Sequence, residues 1–488
     1  MREMLNVLWA LLFFRPAAAG AIADPVTDPV TSDLRDEVRD EALDVVLGAG
    51  SQPESAGSRS RVGPLGLGLE LRPRLDFGFG DAAPDNNGGE EEPGLFTPAA
   101  SLGVAGFAGP FQVRATPWIR AGFTPGIAGR LDVREVWAGV RLPNFVAGFG
   151  RQDRWLGPAR HGSLTLSNNA IAPWLGSVAG EGHLPGVLAQ LGRLRGELGL
   201  GLLGEPRNDV QNPGFLLVDL RWLPVPWIEV GATRLALFGG EGRPAVNVGQ
   251  LLVPTEPHVY DDPDLTLPDQ DELVALDLRI CLPIRRWAPR VPVDHLEAYW
   301  QYGGEDVISR RVGSLPYPSL AGIANLYGGE VSSGSFSVNL EYSRLMDDTF
   351  RWYVGHRVYH DGFTQQGRPL GNYGGTDSEM LWGRVGWRAA AWRSGLWVDT
   401  LRRVGVMESR NDKVFVLGTE EHSWRVGADL GLQTPRRTAL PAGWLTVGYA
   451  LEHVVGEDFV PGVDHFSHRG TLSWSADISV PGVNRPAR

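Results

Sequence analysis

The sequence predicts an all-β protein, a transmembrane antiparallel β-barrel of the outer membrane, and three observations carry that prediction. Runs of about nine to eleven residues alternate between apolar and polar, as strands do when one face meets lipid and the other a wet interior. An export signal opens the chain, yet no later stretch supplies the roughly 20 uninterrupted apolar residues of a membrane helix. The 64 glycines suit a curved sheet with a crowded interior. Most of the 17 tryptophans fall near strand ends or in loops, where an interfacial girdle would put them; Trp222, Trp227, Trp352, Trp382, Trp392, Trp397 and Trp444 are examples. A soluble β-sandwich alternates too, but its strands average about five or six residues. Its apolar face also needs a second layer, and little in this chain would form one.

Residues 1–23 read as a signal peptide. Arg2 starts it, an apolar run from Leu5 to Phe14 follows, and Ala21-Ile22-Ala23 forms a small-x-small cleavage site. Residues 24–61 differ from everything after them. Leu34, Val38, Leu43, Val46 and Leu47 give one narrow apolar stripe on an acidic helix, closed by Gly48-Ala49-Gly50 and followed by a polar linker. Such a short helix must dock on something larger, which makes this segment a candidate plug for the barrel.

From residue 62 to 480 the period is two. Phe336, Val338, Leu340 and Tyr342 alternate with Ser337, Asn339 and Glu341; Trp424, Val426, Ala428 and Leu430 alternate with Arg425, Gly427 and Asp429. Leu445–Leu451, Leu472–Ile478 and Ile228–Ala232 repeat the pattern. In register, the inward face carries Asp219, Arg221, Glu229, Asp277, Arg279, Glu297, Glu341, Arg384, Arg388, Arg425, Asp429, Glu452 and Asp477. Both signs are mixed, as in a hydrated or plugged lumen. Roughly eighteen to twenty strand-like runs occur in all, and residues 481–488 form a C-terminal tail.

Long insertions at 81–97, 150–185, 241–271, 303–320 and 360–378 belong to the outer face of such a barrel. Segment 150–173, GRQDRWLGPARHGSLTLSNNAIAP, is too rich in Gly, Pro, Asn and Arg for regular structure, yet apolar enough to pack as an ordered loop. Trp155, Trp174, Arg151, Arg154, Asn168 and Asn169 offer the aromatic faces and planar polar groups that sugars require. So do Gln365, Gln366, Arg368, Asn372, Tyr373 and Asp377. These same groups also serve to rigidify loops by bonding one another.

Other chemistry is weakly represented. The net charge of −12 argues against a nucleic-acid partner, and the one cysteine, Cys281, excludes an internal disulfide. His161, Ser163, Asn168 and Asn169 are sequence neighbours, whereas a nucleophile and its base must converge in space. Asp261, Asp262, Asp264, Asp269, Asp271 and Glu272 lack the ligand spacing of a calcium loop and read as solvated acid. No enzymatic role, metal or cofactor is expected.

In order along the chain, several blocks resemble the capsule assembly (Wzi-type) family of outer-membrane barrels. RWLGPARHGSLTLSNNAIAP at 154–173 resembles the family's W-G-P…S-L-x-L-S-N-N-A segment, with Trp155, Gly157, Pro158, Ser163, Leu166, Ser167, Asn168, Asn169 and Ala170 in place. WIEVGATRLALFGGEGRP, YWQYGGEDV, LEYSR and YHDGFTQQGRPLGN are similar to later family blocks, over roughly 71 to 472. The resemblance implies about eighteen strands, a small N-terminal helical element at the periplasmic mouth, and attachment of capsular or exopolysaccharide at the cell surface. The N-terminal element is shorter than the family's plug, which keeps export of the polymer through the lumen as an alternative. Expected polysaccharide-binding residues are Arg154, Trp155, Asn168, Asn169, Trp174, Gln301, Glu305, Asp306, Arg368 and Asp377. Expected partners are the polymer, outer-membrane lipid, and export components of the periplasm or outer membrane.

Overall fold

The computed structural model describes residues 67–80, 96–120, 130–184, 186–246, 251, 270–312, 315–347, 350–408, 413–434, 443–476 and 478–479. The signal peptide, the acidic helix, the C-terminal tail and Asp477 lie outside these residues. Strands β1 (Leu67–Gly80), β2 (Phe96–Ala108), β3 (Phe111–Arg120), β4 (Arg130–Leu142), β5 (Phe145–Arg151) and β6 (Trp174–His183) run alternately up and down. They are followed by β7 (Arg193–Leu202), β8 (Gly214–Val225), β9 (Ile228–Phe238), β10 (Gln270–Leu282), β11 (His295–Val312), β12 (Leu315–Ser333) and β13 (Phe336–Leu345). A two-rung hairpin, β14 (Thr364–Gln365) and β15 (Arg368–Pro369), interrupts the series. The wall then resumes with β16 (Ser378–Arg388), β17 (Trp392–Glu408), β18 (Lys413–Thr434), β19 (Gly443–Val455) and β20 (Asp464–Ala476).

The sheet contains 19 hydrogen-bonded segments, and the last, β21 (Ile478–Ser479), continues β20 along the same edge of β1. Eighteen staves therefore close the barrel, sealed by antiparallel pairing of β1 with β20 from Arg74↔Ser475 to Gly80↔Arg469. In hydrocarbon an open edge would leave amides unpaired, so closure is obligatory. One end joins its strands by tight turns at 109–110, 143–144, 226–227 and 334–335. The other end carries the long connections 152–173, 203–213 and 346–377. Short turns mark the periplasmic side and long loops the outer side.

The alternation divides the wall as expected. Phe336, Val338, Leu340 and Tyr342 point outward and are exposed to lipid, whereas Asn339 and Glu341 between them are buried inside. Of the inward charges, Asp219, Arg221, Asp277, Glu297, Glu341 and Arg425 are buried. Glycines at inward positions receive flat rings from the next strand. A Cβ on Gly427 would overlap the indole of Trp397, one on Gly328 the ring of Tyr299, and one on Gly148 the indole of Trp137. Each glycine makes room for an aromatic that no bulkier wall residue would admit.

Several expectations need correcting. The stretch 303–320 is no loop: β11 and β12 continue through it as one long hairpin, because its register of cross-strand pairs runs unbroken to Val312↔Leu315 apart from a skip at Glu305. Trp352 and Trp382 do not stand in a girdle; both are buried, and Trp397 lies inside on Gly427. Trp222, Trp227 and Trp392 do lie exposed near the short-turn end. Of the acidic stretch, only Asp271 and Glu272 are described, and they face opposite sides of β10, so they share no site. Segment 150–173 and the loop after β13 do not stand on the surface. They fold into the lumen.

Gly427→Val is expected to destabilise the barrel by about 1–3 kcal/mol, since the indole of Trp397 must leave its bed. The urea midpoint of the folded, heat-modifiable form in detergent measures this, and an unchanged midpoint would refute the close fit.

Candidate functional site

Glu341 is the point to which the inward loops attach. Period two places it on the inner face of β13, and it is fully buried. Its carboxylate accepts three consecutive backbone N–H groups of the β5–β6 loop: Arg160 at 2.8 Å, His161 at 3.1 Å and Gly162 at 2.7 Å. The hydroxyl of Tyr299 on β11 donates to the same group at 2.8 Å. A charged acceptor for a run of donors is worth more than neutral bonds, because the amides have no water to fall back on. Gly162 must be glycine here, since a Cβ would press on the amide of Asn372.

Gln301, two residues along β11 from Tyr299, repeats the device. Its Oε1 accepts from Leu164 N at 3.1 Å, and Gly157, at φ +103°, leaves space for its amide. The loop 346–377 then packs on 152–173. Tyr353 donates its hydroxyl to Leu164 O at 2.9 Å and accepts from Asn372 N at 2.6 Å. Ser167 N donates to Leu370 O at 2.8 Å, Asn169 Nδ2 to Pro369 O at 3.0 Å and Gln365 Nε2 to Ile171 O at 2.8 Å. The loop 203–213 is tied in by Arg207, which bridges Asp209 to the carbonyls of Gly362 and Thr364. Around these bonds Leu164, Leu166, Tyr353, Tyr359, Phe363 and Leu370 join inward Phe215, Leu235, Leu273 and Leu326 in one apolar core. The result is a plug with its own hydrophobic centre.

A second anchor lies beside Glu341. His161 stacks on Trp382 with ring centroids 4.4 Å apart, and its Nε2 meets the Tyr373 hydroxyl at 3.1 Å. Tyr373 donates to Asp399, which also holds Arg425, and the Arg425 guanidinium lies 4.9 Å over the Tyr373 ring. Burial, reinforced by Arg425 and Arg384 and opposed by Asp399, pushes the imidazole of His161 from an ordinary 6.5 down to about 3.

The sequence-expected site residues are thereby sorted. Arg154, Asn168, Asn169, Gln301 and Asp377 are all buried. Arg154 bonds Glu197 at 2.9 Å and Ser177 at 3.1 Å, and Asp377 holds Arg351 at 3.1 Å. Glu305 is buried on β11; Asp306 follows it in that strand, with its side chain outside the described residues. Trp155 is half-buried and donates its indole N–H to Ala159 O at 2.8 Å. Trp174 lies on the outward face, level with its partners Arg151 and Leu202 and stacked 6.0 Å from Phe149. It belongs to the membrane rim, not to the loop cluster. Arg368 is half-exposed, beside exposed Gln366.

Sequence reasoning did not single out Glu341, Tyr299, Tyr353 or the His161–Tyr373–Asp399–Arg425 cluster as anchors. The LEYSR block and the inward register of Glu341 were the available signal. Its three amide partners lie about 180 residues earlier in the chain, and no local pattern connects them.

Glu341→Ala strands three buried amides and is expected to cost about 1–3 kcal/mol at the plug while the wall stays closed. Hydrogen exchange should rise at residues 160–162 and not in β18–β20. Since the folded pKa of His161 is depressed, its stabilising stack is complete above about pH 6.5 and declines as pH falls from there toward 3. Proteolysis within 152–173 should quicken across that window, and His161→Phe should remove most of the pH dependence.

Comparison with known proteins follows this geometry. Residues 101–434 match the family described as Capsule assembly protein Wzi. No curated protein matches the chain. Among solved structures, Wzi of Escherichia coli shares 16% identity, with 92% of this chain and 89% of that chain covered and a TM-score of 0.59. That protein is described as an outer membrane protein involved in group 1 capsule assembly and as a carbohydrate-binding β-barrel. OccK2 (OpdF) of Pseudomonas aeruginosa shares 12% identity, over 85% of this chain and 98% of that one, with a TM-score of 0.50. Identities this low establish a common fold. The family match spans well over half of the sequence, and this outer-membrane barrel belongs to the Capsule assembly protein Wzi family.

Proposed function

We propose that the protein binds capsular or exopolysaccharide at its outer surface and attaches the polymer to the cell, without a catalytic step. The observation that carries this reading is the plug. Loops 152–173 and 350–377 occupy the lumen between β5 and β17 with a packed apolar core, which leaves a thick polymer no route along that side of the wall. The Escherichia coli relative described as carbohydrate-binding supports the same reading. Polymer would reach the surface through separate export components.

Because the polar atoms of Arg154, Asn169 and Gln301 are spent inside the plug, polymer contact falls to its outward surface. There Arg357, His360 and Gln366 are exposed beside half-exposed Arg368. Planar guanidinium and amide groups at spacings set by a rigid support suit hydroxyls and carboxylates of successive sugar units. Weak single contacts become firm when repeated along a polymer. The buried residues then serve by holding that surface in shape.

The triple substitution Arg357→Ala, His360→Ala and Arg368→Ala is expected to lower retention of purified polysaccharide by about tenfold or more, equivalent to about 1.4 kcal/mol. The folded mobility of the barrel should not change. In a deletion strain, polymer should be released to the medium; polymer trapped in the periplasm would instead point to export through this barrel.

A further inference from the structure

We propose that the outward face of β12–β18 carries a docking site for a phosphorylated glycolipid of the outer leaflet, a lipopolysaccharide, held by the charged ladder Arg344–Glu379–Arg402–Glu420–His422. The ladder is unusual for its place. Asn325 pairs with Arg344, Arg344 with Glu379, Glu379 with Arg402 and Arg402 with His422, so these side chains, and Glu420 two residues from His422 on β18, share the outer face of the wall. Nearer the short-turn end the same face carries Leu340, Val398 and Val426, and isolated charges there would be costly in hydrocarbon.

The row of pairs immediately nearer the short-turn end fixes the level of the ladder. It contains Trp300, Tyr327, Tyr342, Trp424 and Phe466, all exposed, Phe466 at 75%. The indole N–H of Trp300 and the hydroxyl of Tyr327 both donate to Asn325 Oδ1 at 3.2 Å, turning their polar ends up toward the ladder. Amphipathic rings of this kind sit where hydrocarbon meets headgroup. One pair higher, the charged row therefore lies in the headgroup layer, facing lipid.

The order of charges indicates which headgroup fits. Arg344 Nε lies 3.4 Å from Glu379, Arg402 bridges Glu379 at 3.2 Å and Glu420 at 2.9 Å, and His422 Nε2 meets Glu420 at 3.0 Å. N–H donor and carboxylate alternate along the row, with Arg344 and His422 at its two ends. The side chains of Arg344 and His422 are 53% and 43% exposed, so the ends are open to a headgroup, while Arg402 at the centre is held by two carboxylates. Arginine and histidine N–H groups donate to phosphate oxygens, and the carboxylates between them accept from hydroxyl or amino groups. A phosphorylated amino sugar presents both kinds of group on one rigid frame. A simple phospholipid phosphodiester would use the cations and leave the carboxylates opposing it. The acyl chains of the same molecule would lie down over the aromatic row and Leu340, Val398 and Val426 beneath it.

The test uses full-length protein purified in detergent and rough lipopolysaccharide that lacks any long polymer, so that polymer recognition at the plug is not read. Bound glycolipid per barrel is quantified by native mass spectrometry. Arg344→Ala and Arg344→Ala/Arg402→Gln are expected to lower retention about tenfold, whereas Arg285→Ala, an exposed ion-paired arginine at the short-turn end, should leave it unchanged. Arg344→Ala touches one long ion pair only, and its heat-modifiable mobility confirms folding. Equal retention by wild type and variants would overturn the proposal. So would equal displacement by phosphatidylglycerol vesicles, or a dimer that the same substitutions dissociate.

Discussion

Backbone amides without water must find partners inside the protein, and this requirement governs both layers of the molecule. In the wall it forces closure, met where β1 pairs with β20 and β21. In the lumen it applies again, because loops rich in glycine and proline form no continuous ladder, and their amides turn to one another and to the inward side chains of the wall. Glu341 answers by accepting three successive N–H groups of residues 160–162, and Gln301 by accepting that of Leu164. With the Tyr299 hydroxyl, four donors converge on the Glu341 carboxyl, so it acts as a clamp on loop geometry. Remove it, and the plug loses the point about which its two loops are arranged.

The two faces of the same strands follow opposite chemistry from one alternating pattern. On β13, Leu340 and Tyr342 meet lipid while Glu341 between them holds the plug. Glycine mediates between the layers: Gly162, Gly328 and Gly427 each lie where a neighbour's ring or amide needs the volume of a missing side chain. A barrel with a filled interior thus resembles a globular core turned inside a sheet.

Fold class, strand direction and the sign of each face were legible in the chain because alternation is a local property with a fixed period. Phe336–Tyr342 and Trp424–Leu430 needed no partner to be read. The inward position of Glu341, Arg425 and Asp277 followed from the same rule. The family blocks at 154–173 and around Gln301 were also visible, and they fall on the residues that build the plug.

The sequence by itself determined that this chain closes into a lipid-facing barrel with a mixed-charge interior and long loops at one end. Only the tertiary structure decided which way those loops turn. Composition marked Arg154, Asn168, Asn169 and Asp377 as sugar-binding types, but the same groups satisfy buried amides and ions equally well. Which use prevails depends on partners about 140 to 210 residues away, such as Gln301 for Leu164 and Asn372 for Gly162. Hydrogen-bond chemistry is set residue by residue, whereas burial is set by the whole closed wall, and burial decides which bonds a polar side chain makes.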